Sequence, residues 1–276
     1  MKPRIGFIGQ GWIGKNYADD FEERGFSVVR YALEPEYAGN KDLIQTCDIT
    51  FIAVPTPTTP DGFDASIVES VLPLIGDNNI AVIKSTILPG TTQAFQERFP
   101  NIALVHSPEF LVSRTAAHDA RNPQRNILGV TSVSRERAQE VMDVLPDAPY
   151  KKIMEAHEAE LVKYTNNGWL TAKILFLNSI YDACQAVGAD YEVVKEAFSQ
   201  DPRVGKSHLD VLFDNGRGAG GHCFVKDLAA LRELHGSFEE NEEARLFLEA
   251  LECYNKHLLQ LTSKSTEQVQ AVYGDA

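Results

Sequence analysis

A cysteine, Cys223, ends a run of glycines and precedes Asp227 by four positions in the segment GAGGHCFVKD (218–227). Glycine has no Cβ, so this run allows a tight bend and a close approach of the backbone to a ligand. Apolar residues recur at helical spacing after Cys223, which predicts that its thiol lies at a helix N-terminus with Asp227 on the same face. The unpaired N–H groups and the dipole of a helix start favour a thiolate. The pattern indicates a reactive nucleophile, and the alternative is a buried cysteine that acts as a small apolar side chain.

A lysine and an asparagine, Lys163 and Asn167, lie one turn apart in the long helical stretch from residue 156 to residue 187. Residues at i and i+4 share a helix face, so we expect both side chains to point into one cleft. A lysine in an apolar setting is expected to have a lowered pKa and to serve as an acid or base. The alternative is a surface lysine whose aliphatic stem covers apolar surface. Apolar residues on several sides of this stretch indicate a domain centre or a subunit interface.

The composition limits the classes of function. The chain has 276 residues, 43% of them hydrophobic and 24% charged, which is ordinary for a globular protein with one large or two smaller domains. A net charge of −13 argues against nucleic acid or an anionic membrane as a partner. The four cysteines are widely spaced and form no metal-binding pattern with histidine. No apolar run has the roughly 20 residues that span a bilayer, and the expected location is the reducing cytoplasm.

The first residues contain a dinucleotide-binding pattern. A short apolar strand at residues 4–9 leads directly into the glycines of a GxGxxG motif, Gly9, Gly11 and Gly14. A helical segment (Lys15–Glu23) and a second strand (Phe26–Tyr31) follow, which is the context that this motif requires. The first glycine makes the tight turn, the second lets the pyrophosphate approach, and the third lets helix and strand pack closely. The sequence therefore predicts a Rossmann-type domain that binds a dinucleotide.

The acidic residue expected at the end of the second strand is missing. Tyr31, Ala32 and Leu33 occupy the position at which a carboxylate would bind the ribose hydroxyls, and Glu34 follows them. Glu34 either takes over this role or is a solvated loop charge. Arg30 leaves NADP open as the cofactor, and NAD is preferred.

Strands and helices continue to alternate along the first half of the chain. Four further strands are predicted at Ile49–Val54, Ile80–Lys84, Ile102–His106 and Asn126–Val130. This alternation predicts an α/β fold with a doubly wound parallel sheet, followed by an all-helical domain. Ligands of such sheets bind at the carboxyl ends of the strands. The positions expected to line the cofactor are Gly9, Gly11, Trp12, Ile13, Gly14, Glu34, Val54, Pro55, Thr56, Ser85 and Thr86. Glu109 follows another strand end and is predicted to be a functional carboxylate.

These motifs together resemble the UDP-glucose/GDP-mannose dehydrogenase family. The resemblance extends from residue 4 to about residue 257 and depends on an ordered series of segments: GFIGQGWIG, IAVPTPT, KSTILPGTT, SPEFL, AELVKYTNN, GADYEVV, DPRVG and GGHCFVKD. Each segment is a weak signal alone, whereas the series in this order is specific. The family implies a four-electron, NAD-dependent oxidation of a sugar-nucleotide CH2OH group to a carboxylate through an enzyme-bound aldehyde.

The resemblance also implies roles for single residues. Cys223 corresponds to the nucleophile that forms a thiohemiacetal and then a thioester. Lys163 and Asp227 correspond to the pair that transfers protons and stabilises the oxyanion, and Asn167 to the residue that orients the sugar. The resemblance implies that Glu109 acts in thioester hydrolysis. Thr86 corresponds to the threonine that helps to hold the water, and Arg203 to an arginine that reaches the substrate from the neighbouring subunit. The positions expected to line the substrate are Glu109, Phe110, Leu111, Lys163, Asn167, Arg203 and Gly220.

The sequence also departs from the family pattern. Ser113 replaces a second acidic residue after the PEFL segment, and Asp210 replaces a lysine after DPRVG. The chain shows no sequence of the family's third domain, which binds the substrate nucleotide, so the resemblance implies a short form. A polar tail is expected from residue 263 onward.

We therefore expect an NAD-binding Rossmann domain at residues 1–150 and a helical domain at residues 151–276. The helical domain is expected to carry the catalytic lysine and cysteine and to form a homodimer through its long helix. One alternative is a two-electron β-hydroxyacid-type dehydrogenase, which would use Lys163 without needing Cys223. Another is a non-catalytic dinucleotide-binding dimer that has lost its substrate lobe.

Overall fold

The computed structural model describes residues 2–236, 238 and 241–274. The backbone divides into two compact units, the first formed by Met1–Thr56 and Asp64–Lys163 and the second by Pro57–Phe63 and Tyr164–Ala276. The boundary expected after residue 150 falls at the beginning of a strand of the first unit.

The strands are β1 (Ile5–Ile8), β2 (Val28–Tyr31), β3 (Ile49–Ile52), β4 (Thr58–Thr59), β5 (Gly62–Phe63), β6 (Ile80–Ile83), β7 (Ala103–His106), β8 (Arg125–Val130) and β9 (Tyr150–Glu155). The helices are α1 (Trp12–Glu23), α2 (Pro35–Ala38), α3 (Ser66–Val71), α4 (Thr91–Arg98), α5 (Ala116–Arg121), α6 (Ala138–Val144), α7 (Ala156–Val187), α8 (Tyr191–Phe198), α9 (Gly221–Gly236), α10 (Glu242–Leu261) and α11 (Thr266–Tyr273). Short 3-10 helices lie at Lys41–Thr46, Leu72–Leu74, Ser113–Thr115 and Arg135–Arg137.

The first unit is built on a seven-stranded sheet with the order β2-β1-β3-β6-β7-β8-β9. Strands β1, β3, β6 and β7 are buried at every position, as expected for strands that are covered on both faces. The chain passes from β1 outward to β2 and then returns to β3 on the other side of β1, which makes this point a topological switch. The carboxyl ends of β1 and β3 therefore flank the crevice in which such sheets bind ligands.

Aromatic packing joins this sheet to α1. Phe7, Phe21 and Phe51 are fully buried, and the rings of Phe7 and Phe51 stack with their centroids 5.1 Å apart. Their burial fixes α1, which begins directly after the glycine turn, against the sheet.

The predicted fold class is confirmed, with three differences in detail. Strand β8 runs antiparallel to β7, so the sheet is mostly rather than wholly parallel. Strand β9 was not predicted, because its sequence, YKKIME, contains no apolar run, and its residues are exposed or half-buried. The segment expected to be a polar tail contains helix α11, because Val269, Val272 and Tyr273 pack on the cluster that includes Val225 and Leu259.

The second unit is helical apart from the small hairpin β4–β5. This hairpin is bound to α9, since the Thr58 hydroxyl donates to the Lys226 carbonyl and the Phe63 N–H donates to the Glu233 carboxylate. Asp190 caps α8 by accepting the Glu192 N–H at 2.9 Å. Helix α9 also packs against α10 and α11 through a buried apolar cluster. The start of α9, which carries Cys223, is thus supported from several elements of its own unit.

Candidate functional site

The glycine turn after β1 has the geometry that a pyrophosphate requires. Gly9 has φ of +90°, and a Cβ there would lie 2.3 Å from the Ala53 carbonyl oxygen. A Cβ at Gly14 would lie 1.9 Å from the Gly9 carbonyl oxygen, so this glycine permits the close packing of α1 on β1. A Cβ at Gly11 would meet nothing within 4 Å, which leaves open space beside the N-terminus of α1. These positions fit a dinucleotide on the helix start.

A serine ties together the loops that follow β3 and β6. The Ser85 hydroxyl accepts the Val54 N–H at 3.0 Å and donates to the Val54 carbonyl at 2.7 Å. Next to it, the Thr56 hydroxyl donates to the Thr86 carbonyl at 2.7 Å. The hydroxyls of Ser85 and Thr56 therefore form hydrogen bonds within these loops. Pro55, which lies between Val54 and Thr56 in the sequence, is exposed. Backbone atoms of these loops are better placed to contact a cofactor than the two hydroxyls.

The end of β2 carries a cation that is neutralised by its neighbours. The Arg30 guanidinium pairs with Asp19 at 2.7 Å and with Glu22 at 2.8 Å, and these charges help to raise its pKa. Arg30 is thus engaged within the protein, which fits NAD better than a 2′-phosphorylated cofactor. Glu34 is exposed at the start of α2, and Trp12, the first residue of α1, is 71% exposed.

Glu109 belongs to a buried cluster of polar side chains in the first unit. Its Oε1 accepts the N–H groups of Phe110 at 2.7 Å and Leu111 at 2.9 Å, and its Oε2 lies 3.1 Å from the Lys84 ammonium. Lys84 is 2% exposed, and its Nζ also lies 4.3 Å from the centroid of the Tyr17 ring. Burial and the Glu109 carboxylate raise the pKa of the Tyr17 phenol well above its ordinary value. The contacts with Phe110, Leu111 and Lys84 therefore hold the Glu109 carboxylate in a fixed orientation.

Two cations flank the Phe110 ring in the same unit. The Arg125 guanidinium lies 3.7 Å from the ring centroid, and the Lys163 ammonium lies 5.6 Å from it. Lys163 is half-buried and is the last residue of the first unit, within helix α7. Burial lowers the pKa of Arg125. Such cation–π contacts fix the position of the aromatic ring that follows Glu109.

The second unit holds the predicted nucleophile. Cys223 is exposed and is the third residue of α9, so the predicted position of its thiol in the first turn of a helix is confirmed. Asp227, one turn further on, is 2% exposed and accepts the Asn167 amide at 2.6 Å. Its other oxygen pairs with the Lys226 ammonium at 2.5 Å. Asn167 and Asp227 are thus oriented by each other.

The glycines before Cys223 do not all leave room for a ligand. A Cβ at Gly218 would lie 2.9 Å from Asn255 Oδ1, and a Cβ at Gly220 would lie 2.5 Å from Ser265 Oγ. Asn255 also binds both the N–H and the carbonyl of Ala219, at 2.8 and 3.0 Å. Gly218 and Gly220 therefore permit close packing on α10 and the segment after it. Gly221, with φ of +81° and nothing within 4 Å of a Cβ, is the glycine with open space beside it.

Arg203 is placed at the surface of this chain. Its side chain is 88% exposed and pairs with Asp201 at 2.5 Å. Asp210 pairs with Lys195 at 2.8 Å, also at the surface.

Sequence reasoning missed the polar residues that hold the candidate site residues. Lys84 directly follows an apolar strand, and a lysine at the carboxyl end of a buried strand is a signal that could have been used. Asn255 lies in the middle of α10 and has no local signal, because its partner Ala219 is 36 positions away. Among the described residues, no group of three or more His, Cys, Asp or Glu side chains could hold a metal ion. None of the described helices combines the length and apolar character needed to cross a membrane.

Comparisons with known proteins match both units. The sequence model of the NAD binding domain of the UDP-glucose/GDP-mannose dehydrogenase family matches residues 36–145, and the model of the central domain of this family matches residues 157–257. The UDP-glucose 6-dehydrogenase AglM of Haloferax volcanii is 29% identical over 279 residues, covering 82% of this chain and 64% of that protein. The chain spans between about half and two thirds of the length of the first curated relatives that it matches.

Solved structures of similar fold include two further dehydrogenases. A UDP-glucose dehydrogenase from Pyrobaculum islandicum has a TM-score of 0.81 and 27% identity, covering 93% of this chain and 68% of that one. The 3-hydroxyisobutyrate dehydrogenase of Mycobacterium tuberculosis has a TM-score of 0.74 over 98% of both chains. Its 14% identity shows a shared fold and nothing more.

Proposed function

Since the chain belongs to the UDP-glucose/GDP-mannose dehydrogenase family and carries its NAD-binding and central domains, we propose that it oxidises the CH2OH group of a sugar nucleotide to a carboxylate. The observation that carries this proposal is the exposed Cys223 thiol in the first turn of α9, one turn before the buried Asp227–Asn167 pair. A two-electron dehydrogenase of a hydroxy acid has no chemical need for this thiol.

The first oxidation needs a proton acceptor and a stabilised oxyanion. In the proposed mechanism, Asn167 orients the sugar through its amide, which the Asp227 carboxylate fixes from the other side. The Lys163 ammonium offsets negative charge on the developing alkoxide, and Asp227 relays the proton with a water molecule. The turn at Gly9, Gly11 and Gly14 would hold NAD, which accepts a hydride when bound.

The second oxidation needs the aldehyde to remain attached to the protein. The Cys223 thiolate adds to the aldehyde carbon and forms a C–S bond, and the carbonyl oxygen takes up a proton to give a thiohemiacetal. This adduct would pass a hydride to a second molecule of NAD and its hydroxyl proton to solvent, and so become a thioester. Water then attacks the thioester carbon, one of its protons passes to Glu109, and the C–S bond breaks to release the Cys223 thiolate and a carboxylic acid, which loses its remaining proton to solvent. Thr86 helps to hold that water. Free thiol chemistry of this kind requires a reducing compartment, and we keep the cytoplasm as the proposed location.

The proposal is tested by the amount of NADH formed per substrate molecule. The purified protein is given NAD and, in separate reactions, UDP-glucose, GDP-mannose, UDP-N-acetylmannosamine or 3-hydroxyisobutyrate. We expect two NADH per sugar nucleotide consumed. One NADH from the hydroxy acid would favour the alternative of a two-electron dehydrogenase, which the shared fold with 3-hydroxyisobutyrate dehydrogenase keeps open. No NADH from any substrate would favour a non-catalytic dinucleotide-binding protein.

The partner is proposed to be a second copy of this chain. Trp169 and Phe176 are seven positions apart on α7, and they are 64% and 58% exposed. Val187, at the end of the same helix, is 79% exposed. Residues that are 7, 11 or 18 positions apart on a helix lie on one face, so these three side chains form an apolar stripe, which in a monomer would remain in water.

We expect Trp169→Glu combined with Phe176→Glu to convert the dimer into a monomer, because two charges would be buried at the interface. Light scattering after size-exclusion chromatography measures the mass, which for this variant should equal the 30.6 kDa of a single chain. Phe247→Glu on α10, where Phe247 is 57% exposed, is the matched control and should leave the mass unchanged. A wild-type protein that is monomeric at all concentrations would refute the proposed dimer. Loss of dehydrogenase activity in the monomer would support a role of Arg203 in trans.

A further inference from the structure

The proposed chemistry assigns no role to Lys84, a buried charged side chain beside Glu109. Lys84 is 2% exposed at the carboxyl end of β6, and its Nζ lies 3.1 Å from Glu109 Oε2 and 3.3 Å from the Ser107 hydroxyl. A lysine is almost never buried to this degree unless it is paired. The partner of Lys84 is thus the carboxylate to which the proposed function assigns thioester hydrolysis.

Two titratable groups near Lys84, His106 and Tyr17, carry no charge at neutral pH. Burial and then the Lys84 ammonium lower the pKa of His106 to about 3, so its ring stays neutral. Burial and then the Glu109 charge raise the pKa of Tyr17, so its phenol keeps its proton. The positive charge of Lys84 is therefore balanced by Glu109, and the negative charge of Glu109 by Lys84. Neither side chain has bulk water available to replace the other.

The contacts around Glu109 fix both of its carboxylate oxygens. The Lys84 ammonium lies 3.1 Å from Oε2, while the N–H groups of Phe110 and Leu111 donate to Oε1. Because Glu109 is only 6% exposed, solvent contributes little to its orientation, and these contacts determine it.

We propose that Lys84 is a positioning residue for thioester hydrolysis: its buried ammonium holds the Glu109 carboxylate in the orientation in which it accepts the proton of the attacking water. The inference rests on the proposed function, since it assigns a partner to the residue that acts in its last step. In that step the water oxygen bonds to the thioester carbon, one water proton passes to the Glu109 carboxylate, and the C–S bond breaks. Its electron pair returns to Cys223 as a thiolate, and no electrons are gained or lost.

The test follows each step separately in Lys84→Met. The protein is mixed with NAD and UDP-glucose, or with the sugar nucleotide of the panel that the wild type oxidises fastest. The first turnover is monitored by NADH absorbance and by intact-protein mass. We expect both hydride transfers to proceed as in the wild type, followed by accumulation of the thioester on Cys223. Hydrolysis should be about 10- to 100-fold slower, which is at or below the lower end of the roughly 10²- to 10⁴-fold that general acid–base catalysis contributes, because Lys84 acts only through Glu109.

Two further variants separate this role from a merely structural one. Lys84→Met combined with Glu109→Gln should hydrolyse the thioester no more slowly than Glu109→Gln alone, because the lysine acts through the carboxylate. Lys41→Met, at an exposed lysine of the same unit, should behave as the wild type. A Lys84→Met protein with unchanged hydrolysis, or with both hydride transfers and hydrolysis slowed equally, would overturn the inference alone. A wild-type protein that forms no carboxylate would overturn the inference together with the proposed function.

Discussion

Cys223→Ser is expected to abolish the formation of carboxylate. A serine hydroxyl at the start of α9 is not ionised at neutral pH, so it cannot hold the aldehyde as a covalent adduct for the second oxidation. The rate of acid formation should fall by a factor on the order of 10⁴ or more, as when other enzymes lose their nucleophile. We expect the reaction to stop at or before the aldehyde, with at most one NADH per sugar nucleotide consumed. Product analysis by mass spectrometry, together with NADH absorbance, measures both quantities.

The chain offers a matched control for this substitution. Cys253 is a second exposed free cysteine, located on α10, and it has no place in the proposed chemistry. Cys253→Ser should therefore retain the two NADH per substrate of the wild type. If Cys223→Ser still gives full conversion to the carboxylate, the covalent mechanism is wrong, even if the protein is an NAD-dependent dehydrogenase.

Glu109→Gln is expected to let a thioester accumulate on Cys223. The amide retains the shape of the side chain but cannot accept a proton from water, so the last step slows by about 10² or more while both oxidations continue. Intact-protein mass after mixing with NAD and the sugar nucleotide should show the acyl adduct. Hydrolysis at the wild-type rate would contradict the role assigned to Glu109.

The same substitution should also reduce stability. It leaves the Lys84 ammonium buried without a counter-ion, and breaking a buried pair in this way costs about 3–5 kcal/mol of the free energy of unfolding. Urea unfolding of Glu109→Gln measures this loss. Adding Lys84→Met removes the unpaired charge, so the double variant should be more stable than Glu109→Gln alone. A single variant as stable as the wild type would show that Lys84 finds another partner.

Much of the fold could be predicted because its signals are local. The apolar run before Gly9 and the alternation of strands and helices predicted the Rossmann-type sheet. The bounds predicted for the helix at residues 156–187 agree with those of α7, since periodicity and flanking residues determine a long helix. The antiparallel direction of β8 was not predictable, because a strand's direction depends on the path of the connecting chain rather than on its own residues.

The sequence pointed to the candidate site residues, but it did not reveal the buried polar residues that hold them in place. Cys223, Asp227 and Glu109 stand in short motifs whose chemistry is visible in the sequence. The glycines at 218 and 220 were interpreted as space for a ligand, whereas their missing Cβ atoms allow close contact with Asn255 and Ser265. The sequence showed that these positions carry no side chain, but it could not show which neighbouring side chains lie close to the backbone there.

The sequence by itself determined the family, the glycine turn expected to hold NAD and the order of the candidate site residues, because these depend on motifs whose residues are close together along the chain. The tertiary structure decided that Lys84 is buried against Glu109, that Asn167 binds Asp227, and that Trp169 and Phe176 are left exposed on α7. Burial and ion pairing depend on residues far apart in sequence, since packing of the whole chain decides which charges lose their water and which side chains compensate for that loss.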